Sequence, residues 1–476
     1  MYLPQKNRFL HRDILDLLEK ETDFITMKEM VERLKYPSLH AVKNACHELQ
    51  EVVGEVYAPE NLELIISVRG GIRLKRLNTN LQKLTQVLNN QSLSFQLALQ
   101  VFDKRIYPVA KFCEENFISR STLFRHLKKT NDFFARYSAS KIKITLSDSL
   151  KMTGAESSIR IIYYLLLKSN FDSLEDQTNG NETIQLTKKI LSFLDIPSTE
   201  TQTQHLSLWV YVCQKAINKC LHITENDSNF MNKSFFTFAE KPNFLDDWHQ
   251  SDWEFFLLFL WALEYMPVNQ AVIVENDTLY KTQLAVWFEA FEKEFFPVTR
   301  TKKEELVPTL RRQLQYVEMT KFKDGFEEVL EFPKPEMIQE NYPTYYQHFL
   351  KFWESFTQKL SSEKPLAALR SPSFGNCLSL VELTYFMPSV SIYVITELTS
   401  LVNHFIQEKV KTYCSRFKIS FVDDYQQADV IVSSVTFLDS IKPNQKLIMI
   451  RASLSENDLA TIYQTVHKVI NKKVTE

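Results

Sequence analysis

The segment with the clearest chemical potential covers residues 120–129 and reads Arg-Ser-Thr-Leu-Phe-Arg-His-Leu-Lys-Lys. Ser119 before it can cap a helix, in which Leu123 and Leu127 would face inward one turn apart. The polar side chains then remain outside, where arginine can bond a guanine edge and lysine can neutralise phosphates. The segment therefore predicts a recognition helix for the major groove of duplex DNA. The residues expected to contact DNA are Arg120, Ser121, Thr122, Arg125, Lys128 and Lys129.

The distribution of charge along the chain favours the same function. The formal net charge is -2, but residues 66–145 hold 15 basic side chains against 4 acidic ones. A compact basic segment on an otherwise acidic protein is typical of phosphate-backbone binding, because contact with phosphates releases counterions. A solvated basic face is the alternative, so the helical pattern must decide between the two.

A first helix-turn-helix pattern precedes this segment. We expect a helix over residues 9–18, a Thr26-capped helix that ends near Leu34, and a Ser38-capped helix over residues 39–51. Leu39, Val42, Cys46 and Leu49 would form the inward face of the third helix. Strand-like runs over residues 52–58, 62–68 and 72–77 predict a wing. The residues of this unit expected to contact DNA are His40, Lys43, Asn44, Arg69 and Arg73.

The elements around residues 120–129 repeat this order. Helices are expected near residues 93–102 and 109–116, with Pro108 in the first turn of the second. Strands over residues 142–146 and 150–153 predict a second wing, and residues 156–168 a connecting helix. Two such patterns in series are more specific than either alone.

The remainder of the chain is predicted to be helical and then mixed. Residues 172–181 look like a linker, residues 182–390 read as successive helices, and the tail alternates strands with helices. Tail strands are expected over residues 391–397, 418–422, 429–433 and 446–450, in a largely parallel sheet. The fold class is therefore mainly α and multidomain. The predicted domains are 1–78 and 79–169 (winged helix-turn-helix), 170–276 and 277–389 (helical bundles), and 390–476 (α/β).

Several function classes lack the residues they need. The apolar stretch over residues 255–263 is too short to span a bilayer, and no secretory signal pattern opens the chain, which favours the cytoplasm. Six scattered cysteines without a CxxC pair favour free thiols, and Cys213, Cys220 and His222 lack a fourth zinc ligand. Seven glycines form no phosphate-binding loop or nucleophile elbow. We therefore expect no enzyme activity, no metal, no cofactor and no membrane partner.

The chain resembles the Mga/AtxA group of Gram-positive transcription regulators. The resemblance is carried by residues 117–123, by residues 150–154 before a helix, and by the order of the domains. It implies an activator of global, virulence-linked or carbohydrate-linked genes. It also implies a homodimer or larger oligomer, and a helical middle similar to phosphotransferase-system regulation domains, which are controlled by histidine phosphorylation. The residues named as phosphate acceptors are His205, His222 and His348, although a lone histidine on an aromatic helix is more often structural.

The tail resembles the IIB component of sugar transporters, but it departs from a phosphocarrier. Such enzymes carry a cysteine directly after the first strand, where this chain reads Val394-Ile395-Thr396-Glu397, and Cys414 lies far along the next helix. An assembly role for the tail follows from this departure. Two other functions remain open: an RNA-binding antiterminator under phosphotransferase control, and a non-catalytic interaction scaffold.

Overall fold

The computed structural model describes residues 8–36, 38–67, 70–170, 180–224, 231, 235–264, 271–323, 333–360, 366–396, 400–436 and 440–475. Over these ranges the protein is mainly helical, with 17 α-helices and four small sheets. None of the described helices combines the length and apolarity needed to cross a membrane. The chain forms two compact units. The first comprises Met1–Leu284, Val307–Phe332 and Ser362–Leu369, and the second comprises Ala285–Leu306, Pro333–Ser361 and Arg370–Glu476.

Three helices and a hairpin open the first unit and enclose an apolar cluster. Thr26 and Ser38 cap the second and third helices, each accepting from the amide three residues on, as predicted. Gly71 opens the second strand at a φ of 95°, and a Cβ there would lie 2.3 Å from the Ile25 carbonyl oxygen. Only glycine fits so close a backbone approach. The elements are α1 (Arg8–Leu18), α2 (Met27–Leu34), α3 (Leu39–Val56), β1 (Leu62–Ser67) and β2 (Gly71–Arg76).

Helix α3 corrects two sequence-based expectations. It continues to Val56, so the strand predicted over residues 52–58 is wrong. Val53 lies one turn after Leu49 and is equally buried, so the helical apolar stripe extends through this segment. Leu39, predicted to face inward, is 54% exposed because it lies at the first position of the helix.

The next eight elements contain the second helix-turn-helix pattern. Strand β3 pairs with β5, and β5 pairs with β4, so the second wing is a three-stranded antiparallel sheet. Helix α7 is longer than the predicted 120–129, because the buried stripe continues through Phe133, Phe134 and Tyr137. Helix α4 was not predicted. The elements are α4 (Gln82–Asn90), α5 (Leu93–Lys104), β3 (Ile106–Pro108), α6 (Val109–Glu115), α7 (Arg120–Tyr137), β4 (Lys143–Leu146), β5 (Ser149–Thr153) and α8 (Glu156–Lys168).

A helical region follows in the first unit and packs around Trp209, whose ring lies 4.4 Å from that of Phe259. The predicted linker falls outside the described residues up to residue 179, and Gly180 already begins a helix. A short antiparallel strand pair in this region was not predicted. The elements of this region are α9 (Gly180–Phe193), α10 (Glu200–Ile217), β6 (Phe236–Phe238), α11 (Gln250–Ala262) and β7 (Val272–Val274). The next two helices are divided between the units: α12 (Lys281–Glu294) belongs to the second unit from residue 285 on, and α13 (Arg300–Thr320) belongs to the first unit from residue 307 on.

The second unit combines an aromatic helical core around Trp287 and Phe291 with a parallel sheet. The sheet order is β11-β10-β8-β9 and every pairing is parallel, which confirms the predicted α/β tail. The elements are α14 (Pro343–Lys359), α15 (Arg370–Leu380), β8 (Val390–Ile395), α16 (Ser400–Tyr413), β9 (Ile419–Phe421), β10 (Val430–Ser433), β11 (Lys446–Met449) and α17 (Glu456–Thr475).

A buried ionic network joins the second helix-turn-helix region to the helices that follow it. The Arg160 side chain on α8 is fully buried, and its Nη2 donates to Asp252 Oδ1 on α11 at 2.7 Å. The Nε of Arg160 donates to Glu156 at 3.2 Å, and Arg105 at the end of α5 donates to the same carboxylate oxygen at 2.7 Å. Arg160 Nη2 also donates to the Leu221 carbonyl oxygen at 2.7 Å. One guanidinium thus connects three separate parts of the first unit.

We expect Asp252→Ala to lower the free energy of unfolding by about 3–5 kcal/mol, because it leaves a fully buried guanidinium short of its main carboxylate. The measurement is the midpoint of the first urea transition of the full chain. Asp247→Ala, at an exposed position of the same region, is the matched control and should keep the wild-type midpoint. A wild-type midpoint for Asp252→Ala would contradict the structural role of the network.

Candidate nucleic-acid interface

Helices α6 and α7 and the turn between them form the helix-turn-helix unit of the candidate interface. Phe112 on α6 and Leu123 on α7 are both fully buried, so the two helices share one core. Phe117 forms the turn at a φ of 52° with its side chain 97% exposed. The Ser119 hydroxyl then accepts from the Thr122 amide at 3.1 Å and caps α7, as the sequence predicted.

The outward face of α7 carries the predicted polar residues. Ser121, Arg125 and Lys128 are exposed at helical spacing, so they share one face. Arg120 and Lys129 are exposed at its two edges. Thr122 is half-buried, and its hydroxyl accepts from the Arg125 guanidinium at 3.3 Å. The first three turns of α7 therefore present a cationic, hydrogen-bonding surface to solvent.

The second wing is tied to this helix by contacts that the sequence did not reveal. Arg120 Nη2 donates to the Ser147 carbonyl oxygen at 2.9 Å, at the turn between β4 and β5. Asn131 on α7 exchanges two hydrogen bonds of 2.8 Å with the backbone of Ile144 on β4. Arg120 is therefore exposed to solvent and also holds the wing against α7. Only the side-chain amide of Asn131 hinted at such a role, and that signal is common on any surface. The Ser147 contact uses a backbone carbonyl oxygen, which any residue would supply.

Helix α7 is also held on its inner side. His126 Nδ1 lies 3.0 Å from the Ser94 hydroxyl on α5, and Phe134 meets Phe102 edge-on at 5.7 Å. Burial lowers the pKa of His126, and the neighbouring cations Lys129 and Arg125 lower it further. His126 therefore stays neutral near pH 7 and serves to position the helix, while the cationic surface lies on the opposite face.

The first helix-turn-helix pattern presents a weaker charge. His40, Lys43 and Asn44 are exposed on α3, and the Asn44 amide lies 3.2 Å from His40 Nε2. Arg73 is half-buried, with its guanidinium 5.9 Å from the centre of the Phe24 ring. Arg69 lies outside the described residues. Of the α3 residues predicted to contact DNA, Lys43 alone carries a permanent positive charge.

The cations between residues 73 and 143 do not all join one surface. Arg105 is buried against Glu156, and Arg76 is bonded to Glu19 at 2.9 Å. Lys111 pairs with Glu115 on α6 at 3.8 Å. The basic segment predicted over residues 66–145 is therefore not one DNA-binding surface, because the Arg105 guanidinium is buried against Glu156 and cannot reach the phosphates of a duplex. The α7 cations remain together.

The three predicted phosphate acceptors occupy different environments. His205 is half-buried on α10, one turn before the buried Trp209. His222 Nδ1 donates to Asp252 Oδ2 at 2.7 Å, and its ring stacks on His249 at 3.5 Å. His348 Nδ1 donates to the Glu294 carbonyl oxygen at 2.7 Å, and its ring stacks on Phe386 at 3.9 Å. A donating Nδ1 leaves the lone pair of the neutral ring on Nε2.

One cluster of potential metal ligands occurs within the described residues: single ligand atoms of His222, His249 and Asp252 lie within 4.8 Å of one another. The Asp252 carboxylate is already occupied. It accepts from Arg160 and the Ile223 amide on Oδ1, and from His222 and the His249 amide on Oδ2. These four bonds use the roughly four lone-pair sites of a carboxylate. We therefore assign this cluster to the ionic network and not to a metal.

Comparison with known proteins found a match for the region that contains α7. Residues 77–167 match the family model described as the Mga helix-turn-helix domain. The matched segment covers α4 to α7, the second wing and all but the last residue of α8. A search of curated proteins found no match.

We expect Ser119→Ala to destabilise the protein by about 1 kcal/mol, because it removes the side chain that caps α7. Ser119→Thr should restore most of this loss, since threonine can accept the same bond. Ser192→Ala removes an exposed hydroxyl from helix α9, away from the cap, and should leave the urea midpoint unchanged. Equal effects of Ser119→Ala and Ser192→Ala would show that the cap has no special role.

Proposed function

We propose that this protein is a DNA-binding transcription regulator that holds its target through helix α7. The match over residues 77–167 supports its membership in the Mga/AtxA regulator family. Helix α7 lies in the major groove, with Ser121 and Arg125 at base edges and Lys128 and Lys129 at phosphates. The exposed cationic face of α7 is the observation that carries this proposal. Arg120 links the helix to the second wing, so the wing follows α7 onto the adjacent phosphates.

The first winged helix-turn-helix unit takes a positioning role in this proposal. Its α3 surface offers amide and imidazole groups from Asn44, His40 and His47, together with the single cation Lys43. Exposed Glu48 and Glu51 on the same helix weaken its attraction to phosphate. Most of the electrostatic free energy of binding would therefore come from α7.

We expect Arg125→Ala to weaken binding to a selected DNA duplex by about 1–3 kcal/mol if a base contact is lost, and Lys43→Ala to weaken it less. Electrophoretic titration with full-length protein measures both losses. Lys188→Ala on α9, an exposed lysine outside the two DNA-binding units, controls for the general loss of one charge. Equal losses for Arg125→Ala and Lys43→Ala would contradict the division of roles.

We also propose that histidine phosphorylation by phosphotransferase proteins controls this regulator. The contacts of His222 favour it over His205 as an acceptor in the first helical region. Its Nδ1 is held by a carboxylate, its side chain is 20% exposed, and no described residue hydrogen-bonds its Nε2. A phosphoryl group of charge near -1.5 to -2 beside Asp252 would repel that carboxylate and disturb the ionic network. His348 has the same oriented Nδ1 in the second unit.

We expect label from radioactive phosphoenolpyruvate to reach the full-length protein when the general phosphotransferase proteins are present. The His222→Gln variant should lose a large part of this label, and His348→Gln the remainder. His404→Gln, an exposed histidine on α16, is the control and should keep all of it. Absence of any histidine-linked label on the wild-type protein would end the proposal.

Assembly into a homodimer or larger oligomer is assigned to the α/β tail. The parallel sheet order and the unbroken helix α17 are compatible with the IIB-like fold that the sequence resembles. The tail holds a single cysteine, Cys414, which is buried, so no thiol is presented for phosphoryl transfer. This supports a non-enzymatic role. Salt-dependent gel shifts on duplex DNA and on RNA separate the proposal from the antiterminator and scaffold alternatives.

A further inference from the structure

A cavity of about 470 Å³ lies in the first unit beside the second wing. Its walls come from β3, β5, the start of α8 and the loop after α10. The lining includes Arg105, Ile106, Lys151, Met152, Leu221 and His222. This volume falls in the usual range for small-molecule sites, roughly 300–1,000 Å³.

The cavity wall carries more positive than negative charge. Lys151 is exposed on β5, and no described residue pairs with its ammonium group. Arg105 is nine-tenths buried, and its Nη1 lacks a hydrogen-bond partner among the described residues. Glu156 also lines the cavity, but its Oε1 accepts from both Arg105 and Arg160. The wall therefore favours an anionic group over a cationic one.

The rest of the wall is apolar. Met152 and Ile159 are largely buried, whereas Ile106, which pairs with Lys151 across the sheet, is 56% exposed. A large apolar side chain beside an unpaired lysine is suited to a ligand with an apolar body and a charged end. Exposed apolar area of this kind would be covered when the ligand binds.

We infer that this cavity is a binding site for a small organic anion, whose phosphate or carboxylate lies near Lys151 and Arg105 and whose apolar body covers Ile106. The site joins the strand that ends the second wing to the loop that carries His222. It rests on the geometry of the first unit and does not depend on the proposed phosphorylation or on the assignment of DNA contacts.

Isothermal titration of the full-length protein with matched probes tests this site. The probes are 1-naphthyl phosphate, 1-naphthoate and 1-naphthol, which share one apolar body and differ in charge. We expect saturable binding of at least one of the two anions, about tenfold tighter than that of the neutral naphthol. The phosphate and carboxylate arms identify which anion the site prefers. Equal affinities for all three probes, or no saturable binding of either anion, would overturn the inference.

Two variants locate the binding event. Lys151→Gln removes the unpaired charge at an exposed position and should weaken binding of the preferred anion about three- to tenfold. Ile106→Trp should fill the mouth of the cavity and reduce binding further. Lys188→Gln, a distant exposed lysine, should bind the anion as the wild type does, and far-UV circular dichroism confirms that each variant is folded. Wild-type affinity in Lys151→Gln or in Ile106→Trp would overturn the assignment to this cavity.

Discussion

The buried guanidinium of Arg160 is the constraint on which the first unit depends. A charge removed from water costs several kcal/mol unless it is paired and hydrogen-bonded. Its partners are Asp252 on α11, Glu156 on its own helix and the Leu221 carbonyl oxygen after α10. These groups must therefore stay in place together for the unit to fold. Helix α8, which ends the matched helix-turn-helix domain, is consequently fixed to the helical region that follows it.

The same constraint extends to α7, the proposed recognition helix. Glu156 also binds Arg105 at the end of α5, and α5 holds α7 through the Ser94–His126 contact and the Phe102–Phe134 edge. The orientation of α7 thus depends on its contacts with α5, and α5 is itself held by the ion pair between Arg105 and Glu156. His222 shares Asp252 with Arg160, so a change in charge at His222 acts on a group that this arrangement needs. The phosphorylation proposed at His222 would therefore act on contacts that lead towards α7.

The elements with local signals were predictable from the sequence, and those set by distant contacts were not. Ser38 and Ser119 act as caps because a hydroxyl and an amide three residues on suffice. The β-branched run of Val52 and Val53 suggested a strand, but burial of Val53 against the α1–α3 core favours helix. The roles of Asp252 and His249 were invisible, because their partners Arg160 and His222 are far away in sequence. The same applies to Arg105, which counted towards the basic segment over residues 66–145 but pairs with Glu156.

The central claim is that the exposed face of α7 and the turn before it lie against duplex DNA. Phe117 and Phe124 are 97% and 57% exposed at this surface, whereas Phe244, far along the chain, is 43% exposed. Replacing each in turn with the photoreactive residue p-benzoylphenylalanine, followed by irradiation of the DNA complex, tests the claim directly. The account predicts covalent DNA adducts from position 117 or 124 and none from position 244. Bound DNA that cross-links at neither 117 nor 124, or equally at 244, would contradict it.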